Sequence, residues 1–498
     1  MKRIEHSQVG TPRRGVRPLD ASARRPYLHF CLALLLCGLA AGCAHYEARP
    51  VSPEQTASAL ESRTLEDPGL ISFLEANLHR EAAAGSPRVW DFEMLTLAAL
   101  YYHPDLEVAR AEWEVARAGI ITAGGRLNPT VDLTPALNFS HVNAPYGLSP
   151  WLPAVTFDVP VETAGKRAKR IAQAEHLSES ARLNVFVAAW HVRAGVRSSL
   201  LDFSAARQRE ALLQNEMPIQ RQIIALLDQQ IQAGAMAGSE AVPFRIALQK
   251  TQLDLADAQR ESAESRARLA ESIGVPVRAL DGVELSTVFP DAAAAAGLTA
   301  ADVRREAMLG RADIMSALSD YAAAESGLQL EIARQYPDVH FSPGYQFDQG
   351  DNIWSLGLTV ELPVLNQNQG PIAEAAAQRL AAAARFNALQ AKVLSDIDAA
   401  VESFRATEKG LAALQDLAGV QAASRDAVAA QVNAGAATPL DLLEAQLELA
   451  VAEEEQLDAR VKRQQSVAAL EDAVQRPIEM ITPALIERNP ATAKENQP

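Results

Sequence analysis

The sequence predicts a mainly α-helical chain with membrane-type β-strands, in which one helix–strand–strand–helix–helix unit occurs twice. Three observations carry that expectation. Alanine runs such as Ala293–Ala296 and Ala381–Ala384 favour long helices, because alanine has the highest helix propensity. Short motifs recur at a spacing of roughly 200 residues, the mark of an internal repeat. Four short runs alternate apolar and polar side chains, the period of a strand with two unlike faces.

The chain has 498 residues, a formal net charge of −16, 48% hydrophobic, 22% charged and only 5% aromatic residues. That balance excludes a nucleic-acid partner, since phosphate binding needs a basic face. The basic excess sits at the front, where Lys2, Arg3, Arg13, Arg14, Arg17, Arg24 and Arg25 face only Glu5 and Asp20 before residue 43. An apolar stretch, Leu28 to Ala41, follows them. It is shorter than the roughly 20 residues a spanning helix needs, so residues 1–42 read as a secretory signal peptide. Leu39-Ala40-Ala41-Gly42-Cys43 resembles a bacterial lipobox with Ala40 where leucine is usual. The resemblance makes Cys43 the lipidated N-terminus, acylated and held in outer-membrane lipid with 43–89 as a lipid-anchored segment, and the alternative is plain signal cleavage after an Ala-rich site. Cys31, Cys37 and Cys43 are the three cysteines, so nothing downstream can form a disulfide or thiolate metal site.

The first repeat, 90–280, opens with helical patterning from Glu93 to Gly119, striped by Leu97, Leu100, Val108, Ala111, Val115 and Ala118. Gly124-Gly125 reads as a helix terminator, and Asn128-Pro129 closes the element because the residue before proline is pushed out of the α region. Strands are expected at about 130–140 and 152–160, then a long helix from about Ala164 to Ile231 with a kink or short break at Pro218. Gly234 ends it, and Pro243 lies near the next helix start. A connector, 281–299, lacks a clear period. The second repeat, 300–480, has strands at about 338–348 and 353–362, a helix from about Ile372 to Val432, a turn at Gly435 and a helix start at Pro439. Residues 481–498 form a tail. Repeat partners include Asp105-Leu106 with Asp313-Ile314, Asn128-Pro129 with Tyr336-Pro337, Gly165 with Gly370, and Gln232-Ala233-Gly234 with Asn433-Ala434-Gly435.

In the strands, Val131, Leu133, Val155, Phe157, Phe341, Trp354, Leu356 and Leu358 alternate with residues such as Asp132, Thr134, Thr156, Asp158, His340, Ser342, Ser355 and Thr359. A membrane strand and a half-buried strand of a soluble sheet share this period, and the pattern does not separate them. Oligomer logic adds a condition. Four strands cannot close a barrel, and lipid tolerates no open edge, so membrane strands here require a barrel shared between copies.

These residues together resemble the TolC family of bacterial outer-membrane efflux channels, over about 90–480. The motifs are Pro104-Asp105-Leu106, Gly165-Lys166-Arg167, and Asn433-Ala434-Gly435 followed by Asp441-Leu442-Leu443-Glu444-Ala445-Gln446. The resemblance implies a homotrimer, a 12-stranded β-barrel with four strands per chain, and a long α-helical periplasmic tunnel. It also implies a periplasmic adaptor (membrane fusion) protein and an inner-membrane pump of the RND type as partners. Glu361 to Gly370 resembles the heavy-metal (cobalt–zinc–cadmium) efflux branch, with Gln367 where that branch has a basic residue. Two sites follow as expectations. Adaptor docking falls at the turns, where Gly234 and Gly435 permit a left-handed cap and Ala235, Gly238, Ala436 and Thr438 leave room for another hairpin. Asp441 and Glu444 share one helix face, and the repeat sets Glu240 opposite Asp441. These acids read either as a solvated first turn or, by the resemblance, as an acidic periplasmic aperture.

No cofactor, metal site or catalytic residue is expected. The nine histidines form no His-Glu-x-x-His spacing, His103 and His191 read as interface or surface residues, and no glycine-rich phosphate loop follows a strand. Energy for transport must come from a partner. The alternatives are a periplasmic adaptor lipoprotein, which should have one helical hairpin, a type I protein-secretion channel, and a structural periplasmic coiled coil.

Overall fold

The computed structural model describes residues 46–78, 89–138, 149–289 and 299–477. The signal peptide, Cys43, the tail 481–498, positions 139–140 of the first predicted strand and 290–298 of the connector lie outside the described residues. The chain divides into two units, 1–58 and 59–498. In the first, residues 46–52 lack regular structure and lead into helix α1 (Pro53–Glu61), where the Thr56 N–H reaches Ser52 O at 3.0 Å.

In the second unit, α2 (Pro68–Leu78) and β1 (Val89–Trp90) precede α3 (Phe92–Tyr102) and α4 (Pro104–Gly124). Helical patterning was expected over Glu93 to Gly119, with Pro104-Asp105-Leu106 as a helix start, and the structure divides the pattern there into two helices. The pattern breaks at His103, extended at φ −68°, ψ 127°, because Pro104 forbids a helical residue before it. Pro104 then opens α4, where a missing N–H is harmless, and His103 Nδ1 accepts the Asp105 N–H at 3.3 Å. Gly124 is the last residue of α4 and Gly125 its cap, so the glycine pair stops it ahead of Asn128-Pro129. The expected apolar stripe is also corrected. Leu106 is buried, whereas Val108 and Val115 are exposed, Val115 at 74%.

Next come β2 (Thr130–Thr134), β3 (Ala154–Val161) and α5 (Lys166–Gln232). β2 is shorter than predicted, and beyond it only a single bridge, Leu137 to Trp151, continues the pairing among described residues. At 67 residues α5 is about 100 Å long. Of the kink or short break expected at Pro218, the break is absent, since the helix continues through that residue. An interior proline costs about 3 kcal/mol. Leu213, Ile223 and Leu227, all buried on either side of it, offset that, each side chain contributing roughly 1.5–3 kcal/mol. α6 (Val242–Ile273) completes the first hairpin, and β4 (Glu284–Leu285), inside the predicted connector, pairs in parallel with β1.

The second repeat follows the same order: α7 (Ala300–Gly310), α8 (Ala312–Ala333), β5 (Val339–Asp348), β6 (Asp351–Val360), α9 (Gln369–Asn433) and α10 (Pro439–Val474). Gln349 and Gly350 join β5 to β6, both at positive φ (48° and 118°), as a two-residue hairpin turn of this twist requires. One repeat pairing shifts. Gly165, the left-handed residue that opens α5, corresponds to Asn368 (φ 62°) at the start of α9, not to Gly370.

α5 is the central element, packing against α4, α6, α8 and α10. Buried residues form three clusters. Leu95, Leu106, Val196, Leu200, Leu269 and Ile273 lie in the first repeat, and Val303, Ile314, Val393, Ile397, Leu470 and Val474 in the second. Ile223, Leu227 and Ala241 meet Leu443 where the two hairpins turn.

Arginine forks close the helix ends. Arg63 donates to Tyr102 O (2.7 Å) and Gly274 O (2.9 Å), the C-termini of α3 and α6. Arg311 does the same in the second repeat, donating to Ala473 O (2.7 Å) and Asp472 O (3.1 Å) while forking Asp313 at 2.9 and 2.6 Å. A cation there satisfies orphan carbonyls at the negative end of the helix dipole. Arg311→Ala leaves the α10 carbonyls and the Asp313 carboxylate without their partner. It should destabilise the helical body by about 3 kcal/mol, read as a lowered thermal midpoint of the purified protein. An unchanged midpoint would remove Arg311 from the closure.

Candidate functional site

The four strands pair antiparallel in the order β2–β3–β5–β6. Their register decides what the alternating pattern left open. Val131 stands opposite Phe157, Val155 opposite Tyr345, Phe341 opposite Leu358, and Tyr345 opposite Trp354. The apolar positions of all four strands therefore share one face. The polar positions share the other, where Asp132 stands opposite Thr156, Gly344 opposite Ser355, and His340 opposite Thr359. Among the described residues no helix covers the apolar face. Trp354 is 80% exposed, Leu356 75% and Leu133 67%. A soluble sheet would cover such a face, so the half-buried alternative has nothing to bury it against.

Asp132, Asp158, Asp348 and Asp351 lie on the polar face, and no strand of this sheet contains Lys or Arg. Asp158 Oδ2 meets His340 Nδ1 at 2.9 Å, and Ser342 Oγ donates to Asp158 Oδ1 at 3.3 Å. The sequence reading placed these residues on the strands without giving them a role. They are the polar half of the alternation, and register sets them side by side on one face.

A polar joint ties the sheet to the helices. Lys166 Nζ and the Thr163 N–H both donate to Asp338 Oδ1, at 2.7 and 2.9 Å, and Thr163 Oγ1 donates to Pro337 O at 2.6 Å. Arg167 Nε donates to Gly124 O (2.8 Å), while Arg170 reaches Ala123 O (2.9 Å) and forks Glu162 (2.7 and 3.2 Å). The Gly165-Lys166-Arg167 motif thus has a structural purpose. Gly165 turns the chain into α5, Lys166 pins the second repeat, and Arg167 caps α4.

At the opposite ends of the long helices, the two predicted turns have the same hydrogen bonding. The Gly234 N–H bonds Ile231 O (3.0 Å) and the Ala235 N–H bonds Gln230 O (2.9 Å). The Gly435 and Ala436 N–H groups repeat this to Val432 O and Gln431 O, at 3.0 and 2.8 Å. Both glycines are left-handed (φ 72° and 73°), and a Cβ on either would meet nothing within 4 Å. Ala235, Gly238, Ala436 and Thr438 are all exposed beside them.

The structure places the three candidate aperture acids differently from one another. Asp441 closes a capping box, its Oδ2 accepting the Thr438 N–H (2.7 Å) and hydroxyl (2.9 Å), which hold its carboxyl below the usual aspartate range. Glu444 lies between buried Leu443 and Ala445. Glu240 is exposed in a 3-10 turn, Gly238–Ala241, rather than in a capping box, so the repeat is imperfect here. Ala241 and Leu443 belong to one apolar cluster, which brings the two turns together at one end. Among the described residues no three His, Cys, Asp or Glu gather to hold a metal ion, and no helix is long and apolar enough to cross a membrane.

The family model described as outer membrane efflux protein matches residues 96–275 and 303–474. The chain is 25% identical over 367 residues to the nickel-cobalt-cadmium resistance protein NccC of Alcaligenes xylosoxydans xylosoxydans, covering 73% of this chain and 80% of that protein. It is 23% identical over 227 residues to the cobalt-zinc-cadmium resistance protein CzcC of Cupriavidus metallidurans, covering 44% and 52% respectively. Among solved structures it resembles the outer membrane protein VceC of Vibrio cholerae, with a TM-score of 0.63 at 17% identity, over 78% of this chain and 96% of that one. The chain belongs to the outer membrane efflux protein family and is an outer-membrane exit channel of the tripartite efflux type.

Proposed function

We propose that three copies of this chain close their sheets into one 12-stranded barrel, and that divalent heavy-metal cations leave through it. The observation that carries this reading is the uncovered apolar face running in register across four strands, which only lipid suits. The open edges of β2 and β6 require further strands, since an unpaired backbone group in lipid costs several kcal/mol. Val108, Val115 and Ile121 on α4 are exposed in one protomer and available to a neighbouring copy. Cation cargo is supported by the acidic polar face and by the metals named for NccC and CzcC. An RND-type pump would supply the energy, a periplasmic adaptor would dock at the turns around Gly234 and Gly435, and acyl chains on Cys43 would add an anchor in outer-membrane lipid.

Detergent should be needed to extract the protein, which should run as a trimer and conduct cations in planar bilayers. A monomer released by osmotic shock would overturn the barrel. Asp441, Glu444 and Glu240 from three chains would line the periplasmic aperture, and multivalent cations should block it by bridging carboxylates. Asp441→Asn with Glu444→Gln removes charge but keeps the cap acceptor, and should relieve block by a trivalent cation. Because hydrogen bonds from Thr438 lower its pKa, Asp441 stays ionised as pH falls through the ordinary aspartate range, so its contribution to wild-type block should persist there and be lost once it protonates. Unchanged block in the double variant would remove these residues from the gate.

Gly435→Trp puts a large side chain on a left-handed residue in open space, costing roughly 1–2 kcal/mol locally. It should abolish efflux in cells while leaving a membrane-inserted trimer, and fully active trimers would place docking elsewhere. Mass spectrometry of the mature N-terminus should find Cys43 acylated; an unmodified N-terminus at another residue would refute the anchor.

A further inference from the structure

His340 is the one histidine on the four strands of the sheet, which also contain no Cys or Met. It stands on the polar face, opposite Pro160 and Thr359, while its neighbours Val339 and Phe341 occupy the apolar face. Its Nδ1 reaches diagonally to Asp158 Oδ2 at 2.9 Å. A carboxylate has no proton to give, so in the neutral imidazole Nδ1 carries the hydrogen and Nε2 presents a lone pair. Ser342 Oγ, donating to the other oxygen of Asp158 at 3.3 Å, fixes the carboxylate. Asp338 is engaged elsewhere, its Oδ1 holding Lys166 Nζ and the Thr163 N–H. No described residue bonds Nε2.

An imidazole that donates one nitrogen to a carboxylate and offers the other is the arrangement of a metal ligand, because the carboxylate sets the tautomer and raises basicity. We propose that His340 Nε2, oriented by Asp158, is a weak and rapidly exchanging coordination point for imidazole-seeking divalent cations such as Ni²⁺. This rests on the reading of the sheet as a barrel wall whose polar face meets the passing cargo. Binding is an exchange in which one water leaves the hydrated ion and Nε2 takes its place. With one protein nitrogen the ion keeps most of its water, so it is held weakly. A conduit needs that, since a passing ion must be held enough to be drawn in and loosely enough to leave. The aspartates of the same face raise the local cation concentration, and the nitrogen discriminates: late first-row metals favour imidazole, whereas Mg²⁺ favours oxygen and keeps its water.

The test uses full-length trimers in planar bilayers, with Ni²⁺ or Mg²⁺ added from the barrel side. Ni²⁺ should reduce wild-type conductance reversibly and more strongly than Mg²⁺. His340→Gln should abolish the excess Ni²⁺ effect and leave the Mg²⁺ response as it was, and Asp158→Asn should weaken the Ni²⁺ effect by about tenfold or more. Conductance with equal Ni²⁺ and Mg²⁺ sensitivity, or Ni²⁺ block unchanged in His340→Gln, would overturn this inference and leave the channel reading intact. Absence of any wild-type conductance would overturn the channel reading and this inference with it. If neither variant inserts, site-resolved carbethoxylation of wild-type His340 decides. Ni²⁺, but not Mg²⁺, should slow it, and equal rates would overturn the coordination.

Discussion

A four-stranded sheet with one naked apolar face and two open edges is not a stable object in either water or lipid. Water penalises the face, where Trp354, Leu356 and Leu358 stand out uncovered, and lipid penalises the unpaired backbone of β2 and β6. Closure with other copies satisfies both at once. The remaining architecture can be understood as what is needed to present four such strands side by side from one chain. Two helix pairs must deliver and collect two hairpins, which is the duplicated order of elements.

The sheet can be presented only if it is fixed to the helices, and that fixing is polar rather than apolar. Lys166, Thr163 and Asp338 join the start of α5 to the start of β5, so the two repeats meet at one buried cation and one carboxylate. Asn368, at the equivalent position before α9, donates to Glu331 O (2.8 Å) and Oε2 (2.9 Å). Directional hydrogen bonds suit a place where a sheet gives way to helices, because packing alone does not set an angle there.

Further along, α5 and α10 are held by a second polar contact, Glu471 with Arg193 (2.8 Å) and Arg197. Arg193 also lies over the rings of Trp190 and Phe92, at 4.8 and 5.0 Å. Such a buried pair adds little net stability over an apolar substitute, but a broken one leaves an uncompensated charge, so it fixes register more than it strengthens the bundle. The arginine forks at Arg63 and Arg311 act similarly at helix ends. Register between long alanine-rich helices needs this help, because small side chains offer few knobs to prevent sliding.

The sequence by itself determined what depends on neighbours along the chain. Helix propensity, the left-handed turns at Gly234 and Gly435, and the two faces of each strand all follow from residues a few positions apart. Local reasoning erred where a distant partner sets the balance. Pro218 does not interrupt α5 because Ile223, Leu227 and Leu213 are packed by other helices, and Gly165 pairs with Asn368 because the cap conformation, not the residue type, is what repeats. Tertiary structure alone decided that the four apolar faces coincide, that Lys166 meets Asp338, and that His340 meets Asp158. Register and long-range pairing bring together residues more than 150 positions apart, and no periodicity within one segment encodes which face of another segment it will meet.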